Sequence, residues 1–374
     1  MKPIVYAFIG ARPNLPKAAT VQRAFVLPPL RSIEAELSVI HMGQHDNPAM
    51  GLGYVGSLGL EVDNVLSSRR TGSDSGDLAE LITSVGSLLA SMPYPDLLIV
   101  FGDVNSTVAA ALVGARNGLP VVHVEAGLRS FSPDPEEVNR KVVTACADFH
   151  FVPSARAYEN LTRENIPQDD IYFVGNAHTE SFLMSKTARS ASSILQELSL
   201  SQGSYILFSV HKPTTLSNAE SLGSLVERIA TLPNPIWVMH PHTTRRLQVT
   251  PGLLSFKSIT YLDPIPYNDF GKLLENAAFV VTDSAGLQEE CTVAGVPCIT
   301  VGAPTARPET VYSGTNLFAG YDLDKWTILA RALLEKSTHP KSIPDRWDTQ
   351  VSARISQALF DALQRRREKV WLLR

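Results

Sequence analysis

Cysteine is scarce: the 374 residues hold three, Cys146, Cys291 and Cys298. All lie in apolar or helical-looking stretches, none at a metal-ligand spacing. They build no disulfide framework and no metal centre, and they suit a reducing compartment, the cytoplasm. No apolar run is long enough to span a bilayer. The opening MKPIVYAFIG is a strand-length segment ended by Gly10 and Arg12, without the long apolar centre and cleavage site of a signal peptide. Neither charge dominates: the net charge is −4, so there is no basic footprint for nucleic acid. The GK[ST] of a phosphate-binding P-loop is absent, and the turn after the first strand, GARPNLPK, is not the GxGxxG of a nicotinamide site. What remains is a small-molecule ligand met by local charge.

What is present is an ordinary globular balance, 44% hydrophobic and 19% charged, over a length that suits two domains. Near-continuous apolar runs at 3–10, 36–43, 96–103, 119–126 and 149–154 read as strands of a parallel sheet covered on both faces. TVAAALVGARNG (107–118) and PEEVNRKVVTACAD (135–148) between them read as helices, the second opened by Pro and two Glu. The pattern restarts after 174–181, with strands at 205–211, 235–240, 258–264, 277–284 and 297–303. Two βαβα series predict an α/β fold of two Rossmann-like, doubly wound domains with a cleft between them. The boundaries fall at 1–176 and 177–354. The amphipathic segment 355–374 either returns to complete the first domain or sits on the second.

Polar residues collect just past the strand ends, where open α/β sheets bind ligands. Arg12 and Lys17 follow the first strand and can meet an anion near a helix start. His41, Gln44 and His45 follow the second. Asp103 and Ser106 follow the third, where either can cap the next helix. His123, Glu125 and Arg129 come next, then Glu136, Glu137 and Arg140. The helix dipole explains part of the acidic pair but not Glu125, which sits past an apolar strand where an unpaired charge is costly. It is paired with an arginine, or works on a ligand, or both. In the second series His211 ends a strand, MHPHTTRR adds His240, and TDSAGLQEE brings Ser284, Ala285 and Gly286 to a helix start. Small residues there make a cradle of N–H groups for an anion. Glu289 and Glu290 are expected in its first turn, with a ribose as one target. Arg307 and Glu309 follow the next strand.

In their order along the chain, GARPNLPK, GQH, GDVNST, HVEAGLRS, PEEVNR, TDSAGLQEE and RPET resemble the non-hydrolysing bacterial UDP-N-acetylglucosamine 2-epimerases, from residue 10 to about 320. The resemblance implies a GT-B-like fold with a UDP-sugar in the cleft, a homodimer, and inversion at C2 with neither NAD nor metal. It implies elimination of UDP to a glycal and re-addition. By position Asp103, Glu125 and Glu136 match the catalytic carboxylates and His211 the histidine near the leaving diphosphate. Arg12 and Lys17 match a basic pair, and Ser284, Gly286 and Glu290 the phosphate and ribose contacts. Gln44, Arg140, His240, Ala285 and Arg307 are further substrate-binding positions.

Two stretches depart from the family pattern. HKPTT (211–215) stands where the family has H-R-x-E-N, and resembles the His-x-x-Thr-Thr of hydrolysing relatives, which release UDP and free N-acetylmannosamine. TDSAG stands for TDSGG. A hydrolysing 2-epimerase is therefore the second expectation. A GT-B glycosyltransferase and a nucleotide-sugar sensor follow. A UDP-sugar modified elsewhere on the ring is a further substrate.

Overall fold

The computed structural model describes residues 2–43, 55–66, 71–216, 219–250, 252–335 and 342–372. Gln44 and His45 lie outside them. The chain divides into two compact units, Met1–Met184 with Asp345–Arg374, and Ser185–Pro344.

The first unit carries seven parallel strands: β1 (Ile4–Ile9), β2 (Glu36–His41), β3 (Asn64–Val65), β4 (Leu97–Phe101), β5 (Val121–Val124), β6 (Phe149–Val152) and β7 (Ile171–Phe173). Their spatial order is β3-β2-β1-β4-β5-β6-β7. Strands β1 and β4 are apolar throughout, β5 and β6 are apolar but for His123 and His150, and all four are almost wholly buried because helices cover both faces. One face packs against α1 (Leu15–Phe25), the other against α2 (Asp74–Ser91) and α3 (Asn105–Arg116). Helices α4 (Pro135–Cys146) and α5 (Ala155–Arg163) follow β5 and β6.

The first unit runs past the expected boundary at 176, because α6 (Ala177–Met184) packs on α1. Thr20 Oγ1 donates to Ala177 O at 2.7 Å and Ser181 Oγ to Pro16 O at 2.6 Å. Buried hydroxyls bonded this way tie the two helices together rather than leaving a linker. The C-terminal helix Val351–Leu372 also belongs here. Its Val351, Ile355, Ala358, Leu359, Ala362 and Leu363 form one apolar stripe in the core beside α1. The buried Glu180 carboxylate accepts Ser352 N at 2.6 Å and Ser352 Oγ at 2.7 Å, satisfying a donor of that helix's first turn. Burial, the largest influence, raises the Glu180 pKa.

The second unit has six parallel strands: β8 (Ile206–Ser209), β9 (Pro235–Val238), β10 (Thr260–Leu262), β11 (Phe279–Thr282), β12 (Cys298–Val301) and β13 (Asn316–Gly320). They are ordered β10-β9-β8-β11-β12-β13. Helices α7 (Ala219–Ala230), α8 (Pro241–Gln248), α9 (Tyr267–Asn276), α10 (Ala285–Ala294), α11 (Pro308–Tyr312) and α12 (Leu323–Glu335) connect them. In each unit the first strand of its series neighbours the second and fourth, so the order reverses there. Loops diverge above such a reversal and leave room for a ligand. It lies between β1 and β4 in one unit and between β8 and β11 in the other.

Sequence reading omitted three strands, β3, β7 and β13. They are short or lie at sheet edges: β3 has no buried residue, and β7 and β13 mix buried with half-exposed positions, so none makes the long, fully buried apolar run that marks the others. It also placed Asp103 or Ser106 as the cap of α3. Val104 holds that position instead, without a side-chain bond.

Candidate functional site

Residues past β1, β4 and β5 form the first cluster. Behind β1, Ala11 N donates to Asn14 Oδ1 at 3.0 Å and Asn14 Nδ2 to Phe101 O at 2.9 Å, stitching the loop to the end of β4. This points Lys17, in the first turn of α1, inward: its side chain is 7% exposed and pairs with Glu125, 8% exposed. Glu125 is thus paired with a lysine. Arg12 is half-buried on the same loop.

Glu125 has φ +70°, a left-handed conformation that costs a non-glycine residue about 1 kcal/mol or more and persists where surroundings impose it. Its N–H and that of Ala126 both bond Phe151 O, at 3.0 and 3.1 Å, which fixes the turn. Gly102 has φ +65°, and a Cβ there would stand 3.2 Å from Glu125 Oε2 and 3.4 Å from Lys17 Nζ. Only glycine meets both demands. His123 Nε2 bonds Gly102 O at 2.8 Å. Burial, the dominant influence, lowers the His123 pKa to about 3, so the ring is neutral and donates from Nε2.

Asp103 follows Gly102. Its Oδ2 accepts from Arg140 Nη2 at 2.5 Å and its backbone O from Asn139 Nδ2 at 2.9 Å. Its side chain is 25% exposed. Helix α4, which supplies Arg140 and Asn139, starts at Asp134, whose carboxylate accepts Glu137 N at 2.7 Å. The two glutamates diverge: Glu136 is exposed and Glu137 buried. Glu137 Oε2 accepts from Ser130 N at 2.9 Å, Ser130 Oγ at 3.1 Å and Arg140 Nη1 at 2.9 Å. Burial alone would raise its pKa, but these donors outweigh it and the net shift is downward. Arg129 is structural, clamping Glu164 with Nε at 2.7 Å and Nη2 at 2.6 Å.

The second cluster lies past β8 and β11. Asp283 is 3% exposed, and its carboxylate accepts His211 N at 3.1 Å and Lys212 N at 2.8 Å. This locks the segment after β8 onto the end of β11. His211 Nδ1 lies 3.5 Å from Asp283 Oδ1, and the His211 and His240 rings face each other at 5.2 Å. Ser284 N donates to Thr282 Oγ1 at 3.0 Å, while the Ser284 side chain makes no cap bond. Gln288 N reaches Ser284 O at 3.2 Å, so the N–H groups of Ala285, Gly286 and Leu287 precede the helical ladder, as an anion site requires. Ser284, Ala285 and Gly286 are half-buried.

Glu289 and Glu290 are not in the first turn. Helix α10 begins at Ala285, which puts both in its second turn, pointing into the unit. Glu289 Oε1 accepts Arg307 Nε at 2.6 Å and Glu290 Oε1 accepts Tyr267 Oη at 2.9 Å. Arg307 is 6% exposed. The structure thus gathers Lys17, Asp103, Glu125 and Arg140 in one unit and His211, His240 and Ser284–Gly286 in the other. Sequence reading passed over Asn14, Glu137 and Asp283 as site residues. For Glu137 a signal existed: an Asp three positions ahead marks it as the third residue of a capped helix. Among the described residues, no group of three His, Cys, Asp or Glu side chains could hold a metal. No described helix is long and apolar enough to cross a membrane.

Comparison with known proteins accounts for this arrangement. The family model described as UDP-N-acetylglucosamine 2-epimerase matches residues 30–360. The UDP-N-acetylglucosamine 2-epimerase of Methanocaldococcus jannaschii is 31% identical over 346 residues, covering 89% of this chain and 93% of that protein. A UDP-2,3-diacetamido-2,3-dideoxy-D-glucuronate 2-epimerase of Pseudomonas aeruginosa is 30% identical over 337 residues, 89% of this chain and 93% of its own. The crystal structure of the M. jannaschii epimerase in complex with UDP-GlcNAc and UDP superposes with a TM-score of 0.85 at 28% identity, covering 96% of this chain and 99% of that one. The fold class is the GT-B-like pair of doubly wound α/β units. With charged clusters at both strand-order reversals and a family match spanning both units, this chain belongs to the UDP-N-acetylglucosamine 2-epimerase family.

Proposed function

We propose that this chain is a non-hydrolysing epimerase. It interconverts UDP-N-acetylglucosamine, or a UDP-HexNAc modified elsewhere on the ring, with the C2 epimer. The observation that carries the reading is the placement of Asp103 and Glu125 past adjacent strands β4 and β5, each held by a cation, Arg140 and Lys17. The C2 proton of a hexosamine has no neighbouring carbonyl and is not acidic. As the anomeric C–O bond breaks, positive character at C1 acidifies it. A carboxylate takes the proton while UDP leaves, giving a glycal. Proton return to the opposite face of C2, with re-addition of UDP to C1, gives the epimer. Asp103, Glu125 and Glu136 are the candidates for acid and base. Glu136, exposed at the start of α4, is the one that substrate must approach from outside.

The second unit takes the nucleotide in this reading. The N–H groups of Ser284–Gly286 receive the diphosphate with the dipole of α10 behind them. His211, positioned by Asp283, and His240 stabilise charge on leaving UDP. Arg12 and Gln44 complete the substrate contacts, and Glu290 and Arg307 support the cradle from beneath. No metal or redox cofactor is required by this chemistry. The three free cysteines accord with a cytoplasmic protein, and a homodimer is the proposed assembly, which sedimentation would test.

Incubation with UDP-N-acetylglucosamine in D₂O, followed by proton and phosphorus NMR, tests the reading. A UDP-linked manno epimer with deuterium at C2 is expected. Free UDP with free N-acetylmannosamine would replace it with the hydrolysing reading that HKPTT suggests. No turnover of this sugar, but turnover of a 2,3-diacetamido uronate, would assign the modified substrate.

A further inference from the structure

His123, on β5, is a buried titratable group that the proposed chemistry does not use. It is 1% exposed, so it does not meet substrate. Its ring serves the turn that follows β4. Three successive carbonyls there accept from side chains of different elements. Phe101 O accepts Asn14 Nδ2 at 2.9 Å and Thr107 Oγ1 at 2.6 Å. Gly102 O accepts His123 Nε2 at 2.8 Å, and Asp103 O accepts Asn139 Nδ2 at 2.9 Å. In a regular parallel ladder the N–H groups of the neighbouring strand take such carbonyls. Here the Glu125 and Ala126 N–H groups both go to Phe151 O, and the histidine ring serves Gly102 O in their place. Gly102 is the pivot of the turn. Its φ is +65°, its N–H donates to Val124 O at 3.0 Å, and a Cβ on it would stand 3.2 Å from Glu125 Oε2 and 3.4 Å from Lys17 Nζ. Its backbone thus lies against the Lys17–Glu125 pair and leads directly into Asp103.

We infer that His123 is a positioning residue for the reaction, which holds the Gly102 carbonyl and through it the spacing between Asp103 and Glu125. The inference rests on the reading of those two carboxylates as groups that work on the sugar. Glycine has more backbone freedom than any other residue. A buried Gly102 carbonyl deprived of its donor would therefore turn its peptide to find another. That peptide is the one that joins Gly102 to Asp103, so Asp103 moves with it. Glu125 keeps its place, because its own N–H is held by Phe151 O. A displacement of about 1 Å between groups that act on one carbon is enough to cost roughly a hundredfold in rate. The ring suits this task. Burial, the largest influence, lowers its pKa to about 3, so it brings no charge to the site and acts as one fixed donor.

The test is steady-state kinetics, at a temperature where each variant is folded, for His123→Gln, His123→Asn, His123→Leu and Asp103→Asn, with UDP binding measured by calorimetry. The amide nitrogen of glutamine reaches about as far as Nε2 of histidine, and that of asparagine only as far as Nδ1. His123→Gln is therefore expected to keep kcat within about threefold of wild type, while His123→Asn and His123→Leu lower it about thirtyfold. KM and the Kd for UDP stay within about twofold in all three, because the nucleotide is held by the other unit. A histidine that served the fold alone would give a kcat that follows stability, with no rescue by glutamine. Wild-type kcat in His123→Leu, equal kcat in the Gln and Asn variants, or a KM that rises as kcat falls overturns the inference. If His123→Leu does not fold, the Gln and Asn variants decide alone, both being polar and smaller than histidine. Asp103→Asn separates the two levels. Full activity in that variant defeats the reading of Asp103 itself. An inactive Asp103→Asn beside a wild-type-like His123→Leu defeats only the positioning role.

Discussion

Replacing Lys17 by Met separates what the Lys17–Glu125 pair does for the fold from what it does for the reaction. The two side chains are 7% and 8% exposed, so neither charge can turn to water when its partner is removed. Breaking one side of a pair this deep costs about 3–5 kcal/mol, since the remaining charge stays buried. Methionine fills most of the lysine stem's volume, so little of the loss comes from packing. Lys17→Met should therefore lower the stability in urea by about that amount, a large part of an ordinary margin of 5–15 kcal/mol. Adding Glu125→Gln removes the stranded charge and should recover at least about 2 kcal/mol of it. Turnover should not return with the stability, because the proposed acid–base group is gone. Urea denaturation of the four proteins gives the coupling, and the NMR assay gives the activity. A coupling below about 0.5 kcal/mol would refute the argument that the pair is buried and mutually dependent. Activity restored together with stability would refute the catalytic reading of Glu125.

Acid should unfold the protein partly through its neutral histidines. Burial lowers the pKa of His123 to about 3 and of His150 to about 4, so the folded state binds fewer protons than the unfolded chain, whose histidines titrate near 6.5. Their contribution is complete above about pH 6.5 and is lost as pH falls, about 2.5 kcal/mol each by pH 4.5. In His150→Gln the loss of stability between pH 7 and 4.5 should shrink by about that amount; an unchanged slope would contradict it. Gly102→Ala forces a Cβ toward Glu125 and Lys17 at a left-handed φ, and should cost about 1–2 kcal/mol in stability and a larger factor in kcat than in KM. Equal effects on both kinetic constants would count against placing the pair at the reacting centre. Leu359→Ala, in the C-terminal stripe, should lower stability by about 2–5 kcal/mol, read as a fall in Tm, with KM for the surviving enzyme unchanged.

Most of the sheet was legible because parallel strands covered on both faces are nearly all apolar, as LLIVF at β4 is and VVHV at β5 is but for His123. The strand ends led to the candidate site for the same reason: a charge just past such a run has few places to go. What stayed hidden was phase and partnership. Neighbouring residues on a helix differ by about 100° in direction, so Glu136 and Glu137 look alike until the helix is turned. The inward stripe of α4, with Glu137, Arg140, Val143 and Thr144, is too polar for hydrophobic periodicity to reveal it. Lys17 and Glu125 are separated by 108 positions, and nothing local in either stretch announces the other. Glu289 and Glu290 were misplaced by one turn because Ala285 and Gly286, small residues read as preceding the helix, are its first two residues.

The C-terminal helix gives the first unit a distinctive history during synthesis. Its sheet strands β1 to β7 emerge first, yet Ile355, Leu359 and Leu363 of its core emerge only after all of Ser185–Pro344. The second unit has its full sequence available while the first still lacks a wall. On the ribosome, then, the half with Asp103 and Glu125 waits incomplete for the half with Ser284–Gly286, leaving open meanwhile the apolar surface beside α1 that the last helix covers.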